Sequence, residues 1–353
     1  MSTEASLWPR LAELPLVIES YELEPLSAAP AGGMDRAVLQ IRLLGLRTDG
    51  AGEDVGRFFD EDDATLAAGP CQPLAGEWTL EGFCEHLATL ELWAKPPEWD
   101  AARLYRNWAY ESAALDLALR QAGRPLHEVL GREARPLRFV TSLGLGDPPS
   151  IETMHRRLEH YPGLRLKLDA SPGWSGELIE QIAAAGVVDT IDFKGCYGIE
   201  VTDEALLETM YDQVIEAFPD ALLEDPHDLP AITERVAAHA ARVSYDAPIH
   251  CAEDLATTAI APGAVNIKPT RTGSLRALQG LYAHCEAHDL GMYGGGMGEI
   301  GVGRHQIQLL ASIFHPGAPN DVAPSPFNED DVPEGLPTSP LAPRPAPAGF
   351  RRA

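Results

Sequence analysis

The stretch LRLKLDASPGWSGELIEQIAAAGVVDTIDFKG, residues 164–195, contains one complete unit of strand, helix and strand. Its ends, 164–169 and 187–195, are short runs typical of strands, and the segment between them repeats apolar residues at helical spacing. A strand that continues through a helix into another strand pairs with it in parallel. The stretch therefore predicts part of a parallel sheet covered by helices.

Similar units extend over the chain on both sides of this stretch. Seven strand-like runs that alternate with amphipathic helices favour a closed barrel over an open sheet. The predicted strands lie at 138–143, 164–169, 187–195, 221–226, 242–246, 264–269 and 291–295.

The chain before this alternation has a different pattern. Residues 14–48 alternate polar and apolar positions with Gly and Asp between them, which predicts antiparallel strands. We interpret the acidic stretch 50–63 as a loop, and helical periodicity dominates from about 76 to 131. These features predict an N-terminal α+β domain.

We therefore divide the chain into three parts. The N-terminal α+β domain covers 1–134, and the barrel covers 135–315. The remaining residues, 316–353, contain ten prolines and cannot form a core helix or a central strand. We expect this tail to lie partly extended over the N-terminal domain.

The composition is that of a globular protein, with 353 residues, 45% hydrophobic and 23% charged. The net charge of −26 argues against nucleic acid and anionic membranes as partners, because binding to phosphates requires clustered Lys and Arg. No apolar run is long enough to span a membrane, and the first residues lack a signal-peptide pattern. Since five scattered cysteines fit reduced thiols, we expect a cytoplasmic protein.

An ionisable residue stands near the carboxyl end of most predicted strands after the first. In a parallel barrel these ends converge on one face, where active sites lie. Successive members from Asp192 to Lys268 are 22 to 32 residues apart, about the length of one unit. The candidate residues are Lys167, Asp192, Glu224, Asp246, Lys268 and, just past the last strand, Glu299.

Asp192, Glu224 and Asp246 supply carboxylates from three consecutive strands. In a partly dry pocket they would repel one another and protonate unless a cation lay among them. A set of oxygen ligands without His or Cys suits a hard ion, Mg²⁺ before Mn²⁺ or Ca²⁺. Lys167 and Lys268 would offset the remaining negative charge. Each residue alone would be a cap, a turn residue or a solvated lysine, but placement on five consecutive strands favours a site.

Lys167 and Lys268 also suit acid and base chemistry. A lysine beside a divalent ion and a second cation has a lowered pKa, which makes it a general base near neutral pH. Arg165 is the predicted neighbouring cation, since it precedes Lys167 by two residues on one strand face. Because the two lysines stand on opposite sides of the barrel mouth, a substrate between them could lose a proton on one face and gain one on the other.

The ordered set LRLKLD, TIDFKG, LLEDP, VSYD and NIKPTRTG, preceded by the helix ESAALDLALRQAGRPLHEVLG, resembles the enolase superfamily. It is most similar to the mandelate racemase/muconate lactonising enzyme family, in its muconate lactonising enzyme and o-succinylbenzoate synthase branch. The resemblance implies a (β/α)7β TIM-like barrel with bound Mg²⁺ and an N-terminal capping domain. It implies removal of the proton α to a carboxylate, giving an enediolate stabilised by the metal. The matching metal ligands are Asp192, Glu224 and Asp246, and the matching acid/base lysines are Lys167 and Lys268.

Three positions depart from the pattern of that family or extend it. Arg165 stands where the branch commonly has a lysine, so it can only tune the site or bind substrate. Lys194 stands where Asn is frequent, and it would add a cation near the metal or point away. Glu299, in the glycine-rich stretch 291–301, would bind substrate, orient Lys268 or serve only the structure.

Capping-domain loops choose the substrate in the family that this chain resembles. The candidate loops here are 18–34, which could close as a lid or form a flexible turn, and 49–60. Trp174 and Tyr197 follow the second and third strands, where they would line the pocket or serve in packing.

Two lysines on opposite faces permit racemisation or epimerisation as well as cycloisomerisation. An o-succinylbenzoate synthase-like reaction or dehydration of an acid sugar is the alternative, which would make the protein a lyase. The sequence is also compatible with a Schiff-base enzyme that uses Lys268 as nucleophile, and with a metal-binding barrel without turnover. We expect a small-molecule carboxylate as substrate and a homo-oligomer as assembly.

Overall fold

The computed structural model describes residues 6–31, 34–56, 61–198 and 200–353. Its N-terminal part combines two small sheets with helices. The elements are α1 (Trp8–Ala12), β1 (Pro15–Ile18), β2 (Ser20–Ala31), β3 (Met34–Gly45), β4 (Thr48–Asp54), α2 (Glu61–Ala68), β5 (Gly76–Thr79), α3 (Leu80–Leu87), α4 (Ala101–Gln121) and α5 (Leu126–Leu130).

Strands β2, β3 and β4 form an antiparallel sheet in that order, and β1 pairs with β5. The long helix α4 packs against β3 and β4. Two glycines of β4 permit this contact. A Cβ on Gly50 would lie 2.2 Å from the Leu117 nitrogen, and one on Gly52 would lie 2.1 Å from the Ala109 oxygen. Any larger residue at either position would push the helix off the sheet.

The structure corrects the predicted loops of this part, which are 18–34 and the overlapping stretches 49–60 and 50–63. Strand β4 occupies the first residues of the stretch 50–63, and α2 begins at its end. The sequence of β4 does not alternate polar and apolar residues as a typical strand does. Its residues are small because helix α4 packs closely against them. Most of 18–34 is strand β2, while 32–33 and 57–60 lie outside the described residues.

The second part alternates strands with helices, and between β10 and β11 the described connection is a short 3₁₀ helix, Ala252–Thr257. The elements are β6 (Thr141–Leu143), α6 (Glu152–His160), β7 (Leu166–Asp169), α7 (Gly176–Ala185), β8 (Val188–Asp192), α8 (Glu204–Ala217), β9 (Leu222–Glu224), α9 (Pro230–Ala237), β10 (Val243–Tyr245), β11 (Ala264–Ile267), α10 (Pro269–Thr272), α11 (Leu275–Ala287), β12 (Gly291–Gly294) and α12 (Val302–Phe314).

Strands β6 to β12 form one parallel sheet in chain order, and each lies inside its predicted range. A short segment after α12 joins the first strand to the last. The Val140 nitrogen donates to the Asn320 carbonyl at 2.8 Å, and the Asp321 nitrogen donates to the Gly294 carbonyl at 2.7 Å. The segment thereby acts as a brief eighth strand. The predicted TIM-like barrel behind an N-terminal α+β part is confirmed.

The proline-rich tail contacts both parts of the chain. Leu341 exchanges backbone hydrogen bonds with Leu137, just before β6. Phe350 is fully buried, and its ring meets Trp108 of α4 edge to face, with centroids 6.3 Å apart. The domain boundaries at 134 and 315 stay predictions. Among the described helices, none is both long enough and apolar enough to cross a membrane.

Candidate active site

The five residues proposed for chemistry come together at the carboxyl ends of the barrel strands. Asp192 and Glu224 end β8 and β9 and are directly paired in the sheet register. Asp246 and Lys268 directly follow β10 and β11, and Lys167 lies within β7. The three carboxylates have no exposed surface, and the lysines expose 2% and 8% of theirs. The site is therefore a buried cluster of opposite charges.

The local sequence explains how Lys268 reaches this cluster. Pro269 has no backbone N–H, so β11 cannot continue, and the chain turns into α10. One helical turn later Arg271 lies beside its own strand end, where its guanidinium contacts the Asp246 carboxylate. Lys268 Nζ contacts the same carboxylate, 2.7 Å from Asp246 Oδ2. Two cations therefore hold one carboxylate, and they lower the pKa of Asp246 despite burial, which raises it.

Lys167 connects the other two carboxylates. Its Nζ lies 2.9 Å from Asp192 Oδ2, contacts Glu224 Oε1 and lies 3.9 Å from Asp321 Oδ2. Burial lowers the pKa of Lys167, but the charges of Glu224 and Asp192 outweigh burial and raise it well above its ordinary value. The sequence analysis predicted a lowered pKa for a lysine beside a bound divalent ion, and that prediction stays a prediction. The Lys167 ammonium is paired directly with carboxylates, and the second cation beside it is Lys194, which contacts the same Asp192 oxygen, rather than Arg165.

The donor set fits a hard divalent cation. Among the described residues no three acidic, His or Cys side chains form a metal-binding cluster, since the carboxylates are turned onto ammonium groups. Burial raises the pKa of Glu224 to about 8, with Lys167 opposing the shift and Asp192 and Asp246 adding to it. Burial therefore opposes the ionised form of Glu224, and oxygen ligands of this kind suit Mg²⁺. The roles of the three residues as metal ligands stay predictions.

The structure adds residues that the sequence analysis missed. Tyr293 of β12 donates its hydroxyl to Glu224 Oε2 at 2.7 Å, and Asn266 of β11 donates to Glu224 Oε1 at 3.2 Å. Asp225 accepts the backbone N–H groups of Asp246 and Ala247, at 2.7 and 2.9 Å. It thereby holds the turn that carries Asp246. Of these residues, Asn266 could have been found from spacing, since it precedes Lys268 by two residues on the same strand face.

Two of the predicted tuning residues contact the cluster. Lys194 Nζ contacts the Asp192 carboxylate and lies 3.2 Å from Asp169 Oδ1. Tyr197 donates its hydroxyl to Asp246 Oδ2 at 3.2 Å. Lys194 is therefore the additional cation that the sequence suggested, and it points toward the cluster.

Arg165 and Trp174 lie elsewhere, which corrects their predicted placement. Arg165 directly precedes β7, at the amino end of the strand, whereas Lys167 lies further toward its carboxyl end. Arg165 instead donates to Asp189, with Nε 3.2 Å from Oδ2. Trp174 is 4% exposed and belongs to the hydrophobic core.

Glu299 is buried and does not contact Lys268 within the part of the chain that is described. Its carboxylate accepts the Thr270 hydroxyl and the Met297 N–H, both at 2.9 Å. It therefore links the loop after β12 to α10, and this placement favours a structural role over substrate binding.

A cavity of about 820 Å³ opens at this cluster. Lys167, Lys194 and Lys268 lie on its wall, together with Arg36 of β3 and Arg304 of α12. The cavity therefore lies where the N-terminal sheet meets the barrel mouth, and the described part of its inner wall is rich in cations.

Solved structures with similar folds cover most of this chain. The crystal structure of a dipeptide epimerase from Methylococcus capsulatus, complexed with Mg ion, has a TM-score of 0.66 and 20% sequence identity. That comparison covers 86% of this chain and 89% of the other. A dipeptide epimerase from Enterococcus faecalis V583 has a TM-score of 0.68 at 16% identity, with 95% and 99% covered. The fold is that of the enolase superfamily.

Relatives in sequence confirm this resemblance. An N-succinylamino acid racemase from Thermus thermophilus is 30% identical over 240 residues, which are 64% of this chain and 62% of the relative. An o-succinylbenzoate synthase from Bacillus subtilis is 28% identical, with 61% and 58% covered. The chain thus spans about three fifths of the length of these relatives. It belongs to the family described as domain of unknown function DUF8230, whose N-terminal domain matches residues 9–129 and whose C-terminal domain matches 133–329.

Proposed function

We propose that this chain is an Mg²⁺-dependent isomerase or lyase that removes the proton α to a carboxylate of a small-molecule substrate. The observation that carries the proposal is the pair of buried lysines, Lys167 and Lys268, which line one cavity from strands four places apart in the barrel. Three buried carboxylates lie at the carboxyl ends of the strands between them. Each lysine contacts one or more of these carboxylates rather than solvent.

Asp192, Glu224 and Asp246 would hold the metal, which would supply positive charge to the substrate carboxylate as the α-proton leaves. Tyr293 and Asn266 orient the Glu224 carboxylate, and Arg271 orients that of Asp246. The neutral amine of one lysine accepts the α-proton, and the ammonium of the other returns a proton to the opposite face. Both lysines line the same cavity, so each can reach one face of a substrate bound between them.

Two of the three kinds of relative are named for amino-acid derivatives, which favours such a substrate. Their names include N-succinylamino acid racemase, o-succinylbenzoate synthase and dipeptide epimerase. Two lysines on separate strands suit inversion at the α-carbon, so racemisation or epimerisation is the reaction that the geometry supports best. Cycloisomerisation and the lyase reactions use the same first step. The homo-oligomeric assembly and the cytoplasmic location stay predictions.

Lys167→Ala and Lys268→Ala test the two-lysine scheme. With Mg²⁺ and an N-acylamino acid in deuterated water, each variant should lose α-exchange of one enantiomer by about a hundredfold or more and retain that of the other. Exchange is followed by NMR. The control is Lys95→Ala, an exposed lysine outside the cavity. Exchange of both enantiomers at wild-type rates in both variants would contradict the scheme.

A further inference from the structure

A second cavity, of about 450 Å³, lies between α12 and the proline-rich tail, and we call it the tail cavity. Among the described residues it shares only Arg304 with the cavity at the barrel mouth. Its charged and titratable side chains are all basic, and they are Arg304, His305, Arg344 and Arg352. No Asp or Glu stands among its described lining residues, although the chain has a net charge of −26. The tail cavity is therefore a local concentration of positive charge on an acidic protein.

The backbone of the tail brings Arg344 and Arg352 to the same cavity. The tail folds back on itself there, since the Ala346 nitrogen donates to the Arg351 carbonyl at 3.0 Å and the Ala353 nitrogen donates to the Arg344 carbonyl at 2.8 Å. Arg344 has a φ of 37°, in the left-handed region that a residue with a Cβ seldom adopts. Two like charges are therefore held together by a strained turn, a kind of cost that proteins retain mostly at functional sites.

Neither arginine is neutralised by an acidic partner within the described part of the chain. Arg352 donates to neutral oxygens, among them Gln308 Oε1 at 2.6 Å and the Pro343 carbonyl at 3.0 Å. The guanidinium of Arg344 has no hydrogen bond or ion pair to any described residue, and the carboxylate of Ala353, which also lines the cavity, forms no ion pair with either arginine. Burial, and then the charge of Arg344, lower the pKa of Arg352. The two guanidinium groups are thus close enough to repel each other, and an anion between them would relieve this repulsion.

We propose that the tail cavity binds a phosphate group, with Arg344 and Arg352 as the main ligands. A phosphate group carries about −1.5 to −2 charges, which offsets two cations, whereas a carboxylate offsets one. Its oxygens also match the fork of donors that each guanidinium presents. Ser325 lines the cavity and accepts a hydrogen bond from Arg36 Nη2, so its own hydroxyl hydrogen is available as a further donor.

The phosphate group can belong to free phosphate or to a small phosphate monoester. The cavity is of a size that accepts small organic ligands, and four prolines of the tail with Leu341 supply an apolar wall beside the arginines. The proposal does not depend on the proposed function, because it uses neither lysine and none of the three carboxylates of the barrel mouth.

The test is calorimetry with inorganic phosphate and with glycerol 3-phosphate, in chloride buffers of equal ionic strength without Mg²⁺ or substrate. We expect the wild type to bind at least one of them with a Kd of about 1 mM or less. Arg344→Gln and Arg352→Gln should each weaken this binding about tenfold or more. Arg344→Lys keeps the charge but not the fork, so it should weaken binding less. Circular dichroism establishes that each variant is folded, and Arg344→Gln, at an exposed position, decides the question if Arg352→Gln does not fold.

Two controls separate this cavity from other cations. Arg47→Gln is the matched one, because Arg47 is exposed and also has a left-handed backbone, with a φ of 63°, but does not line the tail cavity. Arg156→Gln removes an exposed cation from the cavity at the barrel mouth. Each control should change the Kd by less than about twofold.

The two probes distinguish the sources of the phosphate group. Tighter binding of glycerol 3-phosphate would support a monoester as ligand, and binding of inorganic phosphate that is equal or tighter would support free phosphate. Absence of binding to the wild type would overturn the proposal. It would also be overturned if the Kd were unchanged in Arg344→Gln and Arg352→Gln, or if Arg156→Gln abolished binding while Arg344→Gln did not.

Discussion

Glu224 receives hydrogen bonds from three different strands. Lys167 of β7, Asn266 of β11 and Tyr293 of β12 all donate to its carboxylate. Tyr293 in turn is 2.8 Å from the Ser244 hydroxyl of β10. The position of this carboxylate is therefore set by side chains that reach across the barrel, and losing one donor would leave a buried carboxyl oxygen without a hydrogen-bond partner.

Tyr293→Phe removes the donor to Glu224 Oε2 and leaves the ring in place. Because a hydrogen bond to a charged group contributes about 1.5–3 kcal/mol, we expect kcat/KM for α-exchange to fall about ten- to a hundredfold. The control is Tyr245→Phe, since the Tyr245 hydroxyl accepts the Ile260 N–H and contacts none of the three carboxylates among the described residues. If both variants keep wild-type kcat/KM, the hydroxyl of Tyr293 does not support the site.

The metal site has a readout that does not depend on activity. A ligand that binds only the folded state at a hundred times its Kd stabilises it by about 2.7 kcal/mol. Mg²⁺ should therefore raise the melting temperature of the wild type but not that of Asp192→Asn or Asp246→Asn. Asp212→Asn, an exposed carboxylate on α8, should respond to Mg²⁺ like the wild type. Equal responses in all four proteins would exclude these carboxylates as ligands.

Strand β4 and helix α12 meet at one buried carboxylate. Glu53 of β4 accepts the backbone N–H groups of Gly301 and Gly303, at 2.6 and 2.7 Å, where α12 begins. Burial, and then the charge of Glu299, raise the pKa of Glu53 to about 7, although the backbone donors oppose the shift. A carboxyl group of the N-terminal sheet therefore holds the first turn of the last barrel helix.

Glu53→Gln should change how stability depends on pH. The folded pKa of about 7 lies above the unfolded one, so the folded state keeps a proton that the unfolded state releases as pH rises from about 4.5 to about 7. Within that window the wild type should lose up to about 3 kcal/mol of unfolding free energy, and Gln, which cannot titrate, should remove this loss. Urea unfolding from pH 4.5 to 8 measures it, with the exposed Glu22→Gln as control. Parallel pH curves for Glu53→Gln and the wild type would contradict the prediction.

The elements differ in how well the sequence predicted them. The barrel strands were predictable because each is a short apolar run between helical segments, and the candidate carboxylates follow from where those runs end. Strand β4 was not predictable, because its glycines suggested a turn but in fact allow close contact with α4. The placement of Arg165 failed because a period of two predicts a face of a strand but not the position along it, and Arg165 lies before β7 begins. The contacts of Tyr293 with Glu224 and of Arg271 with Asp246 join different strands. The spacing of residues along the sequence does not reveal such contacts.

The C-terminal residues of the chain pack against the N-terminal part of the molecule. The Phe350 nitrogen donates to Asp116 Oδ1 at 2.7 Å, and Arg351 contacts the same carboxylate, which is buried in α4. The Leu126 nitrogen donates to the Gly349 carbonyl at 3.1 Å. These contacts join the last residues to the longest helix of the N-terminal part, so the tail contributes to the core that it covers.

Phe350→Ala tests this contribution to stability. Truncating a fully buried phenylalanine costs about 3–5 kcal/mol through lost transfer free energy and the cavity left behind. We expect a loss of that size in the free energy of urea unfolding. Leu206→Ala is the control, because Leu206 is 46% exposed and should cost less than about 1 kcal/mol. A similar small loss in both variants would mean that the tail is not part of the cooperative core.

The pair Asn320 and Asp321 has a consequence for how the protein is made. These two residues bridge β12 and the chain before β6, so the ring of strands stays open until they emerge from the ribosome. Asp321 also stands near Lys167, so the wall of the cavity beside Lys167 is incomplete until this segment has been synthesised. A ribosome stalled before this pair would therefore hold an unclosed sheet with an incomplete cavity.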